Sequence, residues 1–409
     1  MEYGDDLKSM AKLPGQLEQK RFLSTLESAF RDGKTYLVAV AIYFGSRFVV
    51  LLAIKFAGIY LPLWKGQFWR YGSSWYDHLL EWDSQWYLHI AAQGYYYDGN
   101  GSRLQPVAFF PLYPLLARFV AWVAGVSPGA ALLIVANVAA VLAVLLLCRL
   151  LRQSRGDEIA LLSVALLSFY PGSLFLSAGY SEALALALIL GFFILLGDGR
   201  YISASLCAGL AAATRPVGIV LAAVLLWELW LKFRADRRQF VGYAIPCTVI
   251  ASSGLWIYAA YLAVAFGSPL AFIHAQRAFN ANAPLGDRLV SALTLQPFRQ
   301  LSFAAATPAD LDQWFFILFL GLTVLAWRRL SASLALFMLG VLLLPYLALS
   351  GGPHKLLSMT RFALLAFPAL IVLAELSRRA WWLGVIIVGL FAAILGLHSA
   401  LFAQGYWVG

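Results

Sequence analysis

An all-α bundle of membrane-spanning helices is the fold this sequence predicts, on three observations. Of its 409 residues, 62% are hydrophobic and only 12% charged, against about 25% charged in an ordinary soluble domain. Apolar runs near the ~20 residues that a helix needs to cross a bilayer recur from end to end. The basic residues sit in short clusters between those runs. That is the pattern of topology signals, so the net charge of +10 points to a membrane and not to nucleic acid.

The bundle is expected to form one domain over 35–402. Residues 1–34 carry six basic and six acidic side chains, which reads as a cytoplasmic arm without a cleavable signal. Residues 403–409 read as an outer tail. Cys148, Cys207 and Cys247 all lie in apolar runs, so neither a disulfide framework nor a zinc site is indicated.

Taken in order, span 1 covers about 35–62 and is interrupted by Arg47 and Lys55. A polar, aromatic segment of about 45 residues follows, then Phe109-Phe110-Pro111-Leu112-Tyr113-Pro114 and an apolar piece to about 126. Spans 2 to 7 are expected at about 129–148, 159–177, 181–197, 201–213, 217–231 and 240–266. A second long polar segment covers 267–310. Spans 8 to 11 follow at 311–327, 331–349, 358–374 and 381–402. If 109–126 lies in the interface, the basic clusters at 149–155, 200, 232–238, 328–329 and 378–379 all fall on one side, as the positive-inside rule asks. Arg118 and two prolines support that choice. The expected topology is therefore 11 spans, with the N-terminus inside and the outer loops 63–128 and 267–310 sharing one face.

Within the first outer loop, Glu81-Trp82-Asp83-Ser84-Gln85-Trp86-Tyr87-Leu88-His89 combines acid and base groups with aromatics. It reads as an interfacial helix with Asp83 as its N-cap. The same face is expected to gather the carboxylates Glu81, Asp83 and Glu182, the cations Arg215, Arg277, Lys355 and Arg361, and the histidines His274 and His354. Charges within a bilayer cost about 2.5–3.5 kcal/mol each on insertion scales, so Glu182, Arg215 and Arg361 should face a polar cavity. Carboxylates among aromatics suit a general base, cations near lipid suit a phosphate leaving group, and aromatic faces suit a sugar. No glycine-rich phosphate loop, Walker sequence or Ser-His-Asp motif is present.

Several motifs in order carry a resemblance. They are Trp82-Asp83-Ser84-Gln85-Trp86-Tyr87, Gly94-Tyr95, Ala108–Pro114, Phe169-Tyr170-Pro171 with Tyr180-Ser181-Glu182, Thr214-Arg215-Pro216-Val217-Gly218, and Ser358-Met359-Thr360-Arg361-Phe362 with Phe367-Pro368. Over residues 40–375 the chain resembles the PIG-V mannosyltransferases, which are GT-C type membrane glycosyltransferases. The resemblance implies transfer of a sugar, mannose above all, from a polyprenyl- or dolichyl-phosphate carrier to a hydroxyl of a lipid or glycolipid acceptor. It implies an acidic residue in the first outer loop as catalytic base, and Asp83 matches it. The configuration would invert while Arg361, Lys355 and Arg215 or His354 hold the leaving phosphate. Glu81, Trp82, Gln85, Tyr180, Glu182, His274 and Arg277 complete the candidate substrate-binding set, with Glu182 also a partner for Arg215. Glu81, Asp83 and Glu182 could form an oxygen site for a divalent metal. The arginines and lysine do the same electrostatic work, so no cofactor is expected to be required. The active face would be outside a plasma membrane in a prokaryote and lumenal in the endoplasmic reticulum of a eukaryote. The rival class is a transporter or flippase of polyprenyl-linked sugars, against which stand the lack of an internal repeat and the gathering of polar residues on one face.

Overall fold

The computed structural model describes residues 14–64, 75–280, 284–298, 308–349 and 358–408, and among them every regular element is helical. The long apolar runs give α1 (Pro14–Tyr60), α4 (Pro128–Arg155), α8 (Val220–Phe233), α9 (Arg237–Phe266), α12 (Pro308–Arg329) and α16 (Trp381–Ala403). Among the described residues six segments are long and apolar enough to cross a membrane, five within these helices and one, Pro216–Phe233, made of α8 with the 3₁₀ turn before it. Shorter helices complete the bundle: α5 (Asp157–Phe169), α6 (Glu182–Gly197), α7 (Tyr201–Thr214), α13 (Ala332–Leu349) and α15 (Pro368–Ser377). The connecting segments add α2 (Asp83–Gln93), α3 (Leu112–Ala124), α10 (Ala271–Asn280), α11 (Leu285–Leu293) and α14 (Met359–Ala363). The outer surface is apolar, with Phe44, Phe48, Val138, Ile245, Val249 and Val264 all exposed. Such a surface is stable against lipid and not against water. The chain is an integral membrane protein.

Local signals set the helix ends. Ser127 caps α4, its hydroxyl accepting from the Ala130 N–H at 3.2 Å, with Pro128 in the first turn. Asp236 caps α9 through the Gln239 N–H at 3.0 Å. Helices α7 and α9 meet at Gly254, where a Cβ would overlap the Gly209 carbonyl and the Ala213 amide. Small residues let backbones approach closely where no water drives packing.

Two expected spans are broken. Span 3 ends as a helix at Phe169, because Pro171 forces Tyr170 into extended backbone (φ −50°, ψ 137°). A 3₁₀ turn, Pro171–Leu176, then leads toward α6. Span 10 is likewise two pieces, α14 and α15, with Pro368 opening the second. Arg47, which interrupts span 1, explains itself here. It is buried, and it donates to the carbonyls of Ser168 (2.8 Å) and Ser173 (2.6 Å) and the hydroxyls of Ser173, Ser177 and Ser46. An arginine held by neutral oxygens thus braces the broken turn of span 3 from inside the bundle.

The bundle has two chemically distinct ends. At one, Arg152 pairs with Asp157 at 2.6 Å, the Thr35 hydroxyl donates to Asp157 at 3.0 Å, and Arg155 pairs with Glu375 and approaches the Arg329 carbonyl. At the other, the Trp64 N–H donates to the Gln404 carbonyl after α16, and Gly129 at the start of α4 lies against Leu80. The chain therefore leaves α1 and enters α4 at the same end. Between them Arg118 of α3 donates to the carbonyls of Ile90 (2.6 Å) and Ala91 (2.7 Å), clamping α3 to the end of α2.

Candidate active site

The site forms where α2, the 3₁₀ turn of 171–176, α6, α7 and α14 meet. The first helical residue of α2 is Asp83; Trp82 holds the N-cap position with φ 57° and ψ −121°, and its side chain makes no capping hydrogen bond. The expectation that Asp83 is the cap is thus corrected. Its carboxylate turns away from the helix end because a guanidinium outcompetes the backbone amides: Arg361 Nη1 donates to Asp83 Oδ2 at 2.5 Å. A left-handed φ on a bulky residue costs free energy of order 1–3 kcal/mol and marks a place the surroundings over-determine. Here Trp82 is wedged between Trp64 (centroids 5.4 Å apart) and Trp407 (5.0 Å). Ser358, which precedes α14, is also left-handed at φ 71°, and Asp312 of α12 accepts the N–H groups of Ser358 (2.8 Å) and Thr360 (2.7 Å). Both halves of the Asp83–Arg361 contact are therefore presented by strained turns.

Arg361 is 4% exposed and enclosed. Its Nε donates to Glu182 Oε1, and the guanidinium lies 4.5 Å from the Tyr180 ring centroid and 5.2 Å from that of Phe175. Arg215 donates through Nη1 to the same Glu182 oxygen and to the Ser181 hydroxyl at 3.3 Å. The pairing of Glu182 with Arg215 expected from the sequence is present. Glu182 begins α6, where a carboxylate also meets the positive helix end. The Tyr180 hydroxyl accepts from the Asp83 N–H and donates to the Glu81 carbonyl, both at 3.2 Å. Tyr87 bonds Ser181 at 2.9 Å, and burial pushes its hydroxyl up to about 12, so it stays neutral.

Asp83, Tyr180, Glu182, Arg215 and Arg361 are thus one network. The resemblance makes Arg361 a phosphate holder, whereas here two carboxylates, Asp83 and Glu182, surround it. Glu81 is buried and reaches Tyr180 through its backbone carbonyl. Gln85 donates to the Leu80 carbonyl, while its Oε1, Trp82 Nε1 and Glu182 Oε2 are buried with no hydrogen-bond partner among the described residues. Burial lowers the His89 pKa, and its ring packs edge-on against Tyr96. His354 and Lys355 lie outside the described residues. Among the described residues no group of three His, Cys, Asp or Glu side chains could hold a metal ion, so Glu81, Asp83 and Glu182 do not form one.

Beside the network lies a cavity of about 990 Å³. Arg215 and Phe362, which adjoin the network, line it together with Arg277 of α10 and Arg288 of α11. Arg277 therefore belongs to the cavity and not to the carboxylate cluster. His274 is not on the wall; its carbonyl lies where a Cβ on Gly101 would come within 2.9 Å. Arg288 escaped the sequence reading because its neighbours Asp287 and Leu289 give it the look of a solvated helix face.

Fold and site together define a polytopic, all-helical membrane protein with a carboxylate–arginine site at one end of the bundle. Residues 66–240, a little under half of the chain, match the family model for mannosyltransferase (PIG-V). That match contains Asp83, Tyr180, Glu182 and Arg215, and the fold adds Arg361. A GPI mannosyltransferase 2 of Drosophila pseudoobscura pseudoobscura is 34% identical over 117 residues, which cover 25% of this chain and 24% of that protein. The chain thus spans about a quarter of the length of that relative. Among solved structures, the Archaeoglobus fulgidus oligosaccharyltransferase tethered with an acceptor peptide is 14% identical, with a TM-score of 0.45, covering 90% of this chain and 56% of that one. Its apo form gives 14% identity, a TM-score of 0.42 and coverages of 89% and 56%.

Proposed function

We propose that the chain is an inverting glycosyltransferase that moves a sugar, mannose by its family likeness, from a polyprenyl-phosphate carrier to a hydroxyl of a lipid-linked acceptor. The observation that carries this reading is the Asp83–Arg361 contact: a carboxylate 18% exposed, fixed through one oxygen by a buried arginine. Asp83 Oδ2 is engaged, so Oδ1 takes the acceptor proton. As it does, the acceptor oxygen bonds to the anomeric carbon, the bond from that carbon to the phosphate oxygen breaks, and the lipid phosphate leaves with the electron pair. The demand on Asp83 as a base is small, because a carbon with oxocarbenium character acidifies the hydroxyl as the bond forms. A phosphate leaving group needs no protonation, so one carboxylate suffices where glycoside hydrolysis uses two.

Arg361, Glu182 and the buried Tyr180 are positioning groups in this scheme, and Trp82, half-buried, offers an aromatic face to the sugar. The arginines supply the positive charge, so transfer should survive chelation of divalent metal by EDTA. The site end is assigned to the outer or lumenal face, since the basic clusters lie at the other end. The test is to incubate purified protein with a polyprenyl-phosphate mannose bearing labelled sugar, together with a lipid extract as acceptor. Label should pass to a lipid product of inverted configuration in the wild type and not in Asp83→Asn. Movement of intact labelled donor across a vesicle membrane, without transfer, would favour the transporter reading instead.

A further inference from the structure

The cavity beside the carboxylate cluster has a composition of its own. Three arginines, Arg215, Arg277 and Arg288, line it, and among the described residues none on its wall is acidic. Arg215 is neutralised by Glu182. Arg288 is half-buried and anchored, donating to the Ala348 carbonyl at 3.1 Å, and Arg277 is exposed. Around them the wall is apolar, formed by Phe272, Ile273, Val341, Leu344 and Leu365 among others. Its volume is at the upper end of the ~300–1,000 Å³ that small-molecule sites occupy. Along α13 the wall runs onto the outside of the bundle, where Leu343, Leu344 and Leu347 are 36%, 36% and 40% exposed. The cavity is therefore cationic inside and continuous with the lipid-facing surface.

We propose that this cavity takes a polyprenyl monophosphate, with Arg277 and Arg288 on the phosphate and the first isoprene units against α13. The assignment rests on the donor class proposed above. It moves the phosphate away from Arg361, which is enclosed by Asp83 and Glu182. Charge explains why two further cations belong here. In the sugar-linked donor the phosphate is a diester with one negative charge. Once the bond to the anomeric carbon breaks, the free monoester carries about −1.5 to −2. Cations placed at that phosphate hold the departing group more strongly than the bound donor, which is what lowers a barrier. Phe362 joins the two regions: its ring lies 5.6 Å from the Arg215 guanidinium and 5.8 Å from that of Arg361. A sugar whose phosphate sits in the cavity would thus project toward Asp83.

Direct binding to the full-length protein in nanodiscs tests this, with farnesyl phosphate as the probe and farnesol, inorganic phosphate and dioleoyl phosphatidate as comparisons. Farnesyl phosphate should bind most tightly. Arg277→Gln and Arg288→Gln should each weaken it by about tenfold or more, the value of one charge-assisted hydrogen bond. Because Arg288 also anchors α11, Leu344→Trp is the second variant. It keeps every cation and sets an indole on the apolar wall where the first isoprene units would lie, and it should weaken binding with the melting temperature retained. If all three variants bind farnesyl phosphate as the wild type does, the site is misplaced while the donor class stands. Failure of the wild type to bind farnesyl phosphate would overturn both. Equal binding of phosphatidate would make the cavity a seat for bulk lipid and overturn the proposal.

Discussion

Asp83 offers a clean separation between structural and chemical roles, because its side chain does not cap α2. Asparagine keeps an oxygen for Arg361 and cannot take a proton. Asp83→Asn should leave the fold and donor binding in place and lower transfer by about 10²–10⁴-fold, the usual contribution of a general base. Glu81→Gln should do less, since it is the Asp83 carboxylate that Arg361 holds. A dead Glu81→Gln beside an active Asp83→Asn in the labelled-mannose assay would move the base by two residues. Arg361 calls for the opposite forecast. Removing it leaves two carboxylates facing each other in a buried site, so Arg361→Gln should destabilise by about 3–5 kcal/mol as well as stop transfer. Arg361→Lys should fold better and still be slow, because an ammonium cannot reproduce the fork that contacts Asp83 and Glu182. Thermal unfolding alongside the rate separates these outcomes. The members of the network were legible as charged residues in apolar surroundings. The Glu182–Arg215 pair was legible too; the Asp83–Arg361 contact was not, since those residues lie 278 positions apart.

At the scale of elements, the sequence showed eleven apolar runs, and helices stand at all eleven. What hydropathy could not show is where a run stops being helical. Spans 3 and 10 each contain a proline, and each breaks at the end that carries the site. Hydropathy averages over such a break, while backbone stereochemistry does not. The two breaks also touch. A Cβ on Gly172 would lie 2.6 Å from the Thr360 carbonyl, one residue before Arg361. Neither partner is a flexible side chain, so Gly172→Ala should push the turn of 171–176 off α14 and move Arg361 relative to Asp83. Transfer should fall more than thermal stability does. Asp312→Asn tests the same arrangement from the other side. Both Asp312 oxygens accept backbone N–H groups, and the amide would turn an NH₂ toward one of them. A loss of about 1–3 kcal/mol, the cost of an unsatisfied buried donor, is expected with a matching fall in rate. If Asp312→Asn keeps wild-type melting and rate, α14 is held by packing alone.

For the molecule as a whole, the inference with most weight is that 109–126 does not cross the bilayer. Charge bias made that choice legible, because only an interfacial α3 puts every basic cluster on one side. The structure adds geometry that does not depend on charge. The segment between α1 and α4 begins beside Gln404 and ends beside Leu80, at the end where Asp83 lies. From there α4 runs 28 residues, about 42 Å at 1.5 Å per residue, to the end where Arg152 and Arg155 meet Asp157 and Glu375. That is ample for a hydrocarbon core of about 30 Å. Single cysteines at Gln93 and Gln153, both exposed, therefore report opposite faces. Cys148 and Cys247 are buried, and Cys207 is half-buried and should be replaced by serine first. A membrane-impermeant maleimide added to sealed, right-side-out vesicles should label Gln93→Cys at once and Gln153→Cys only after permeabilisation. Labelling of both from outside would put the basic clusters and the site on one side. That would sink the shared outer face, and with it the access of a lipid acceptor to Asp83 from that leaflet.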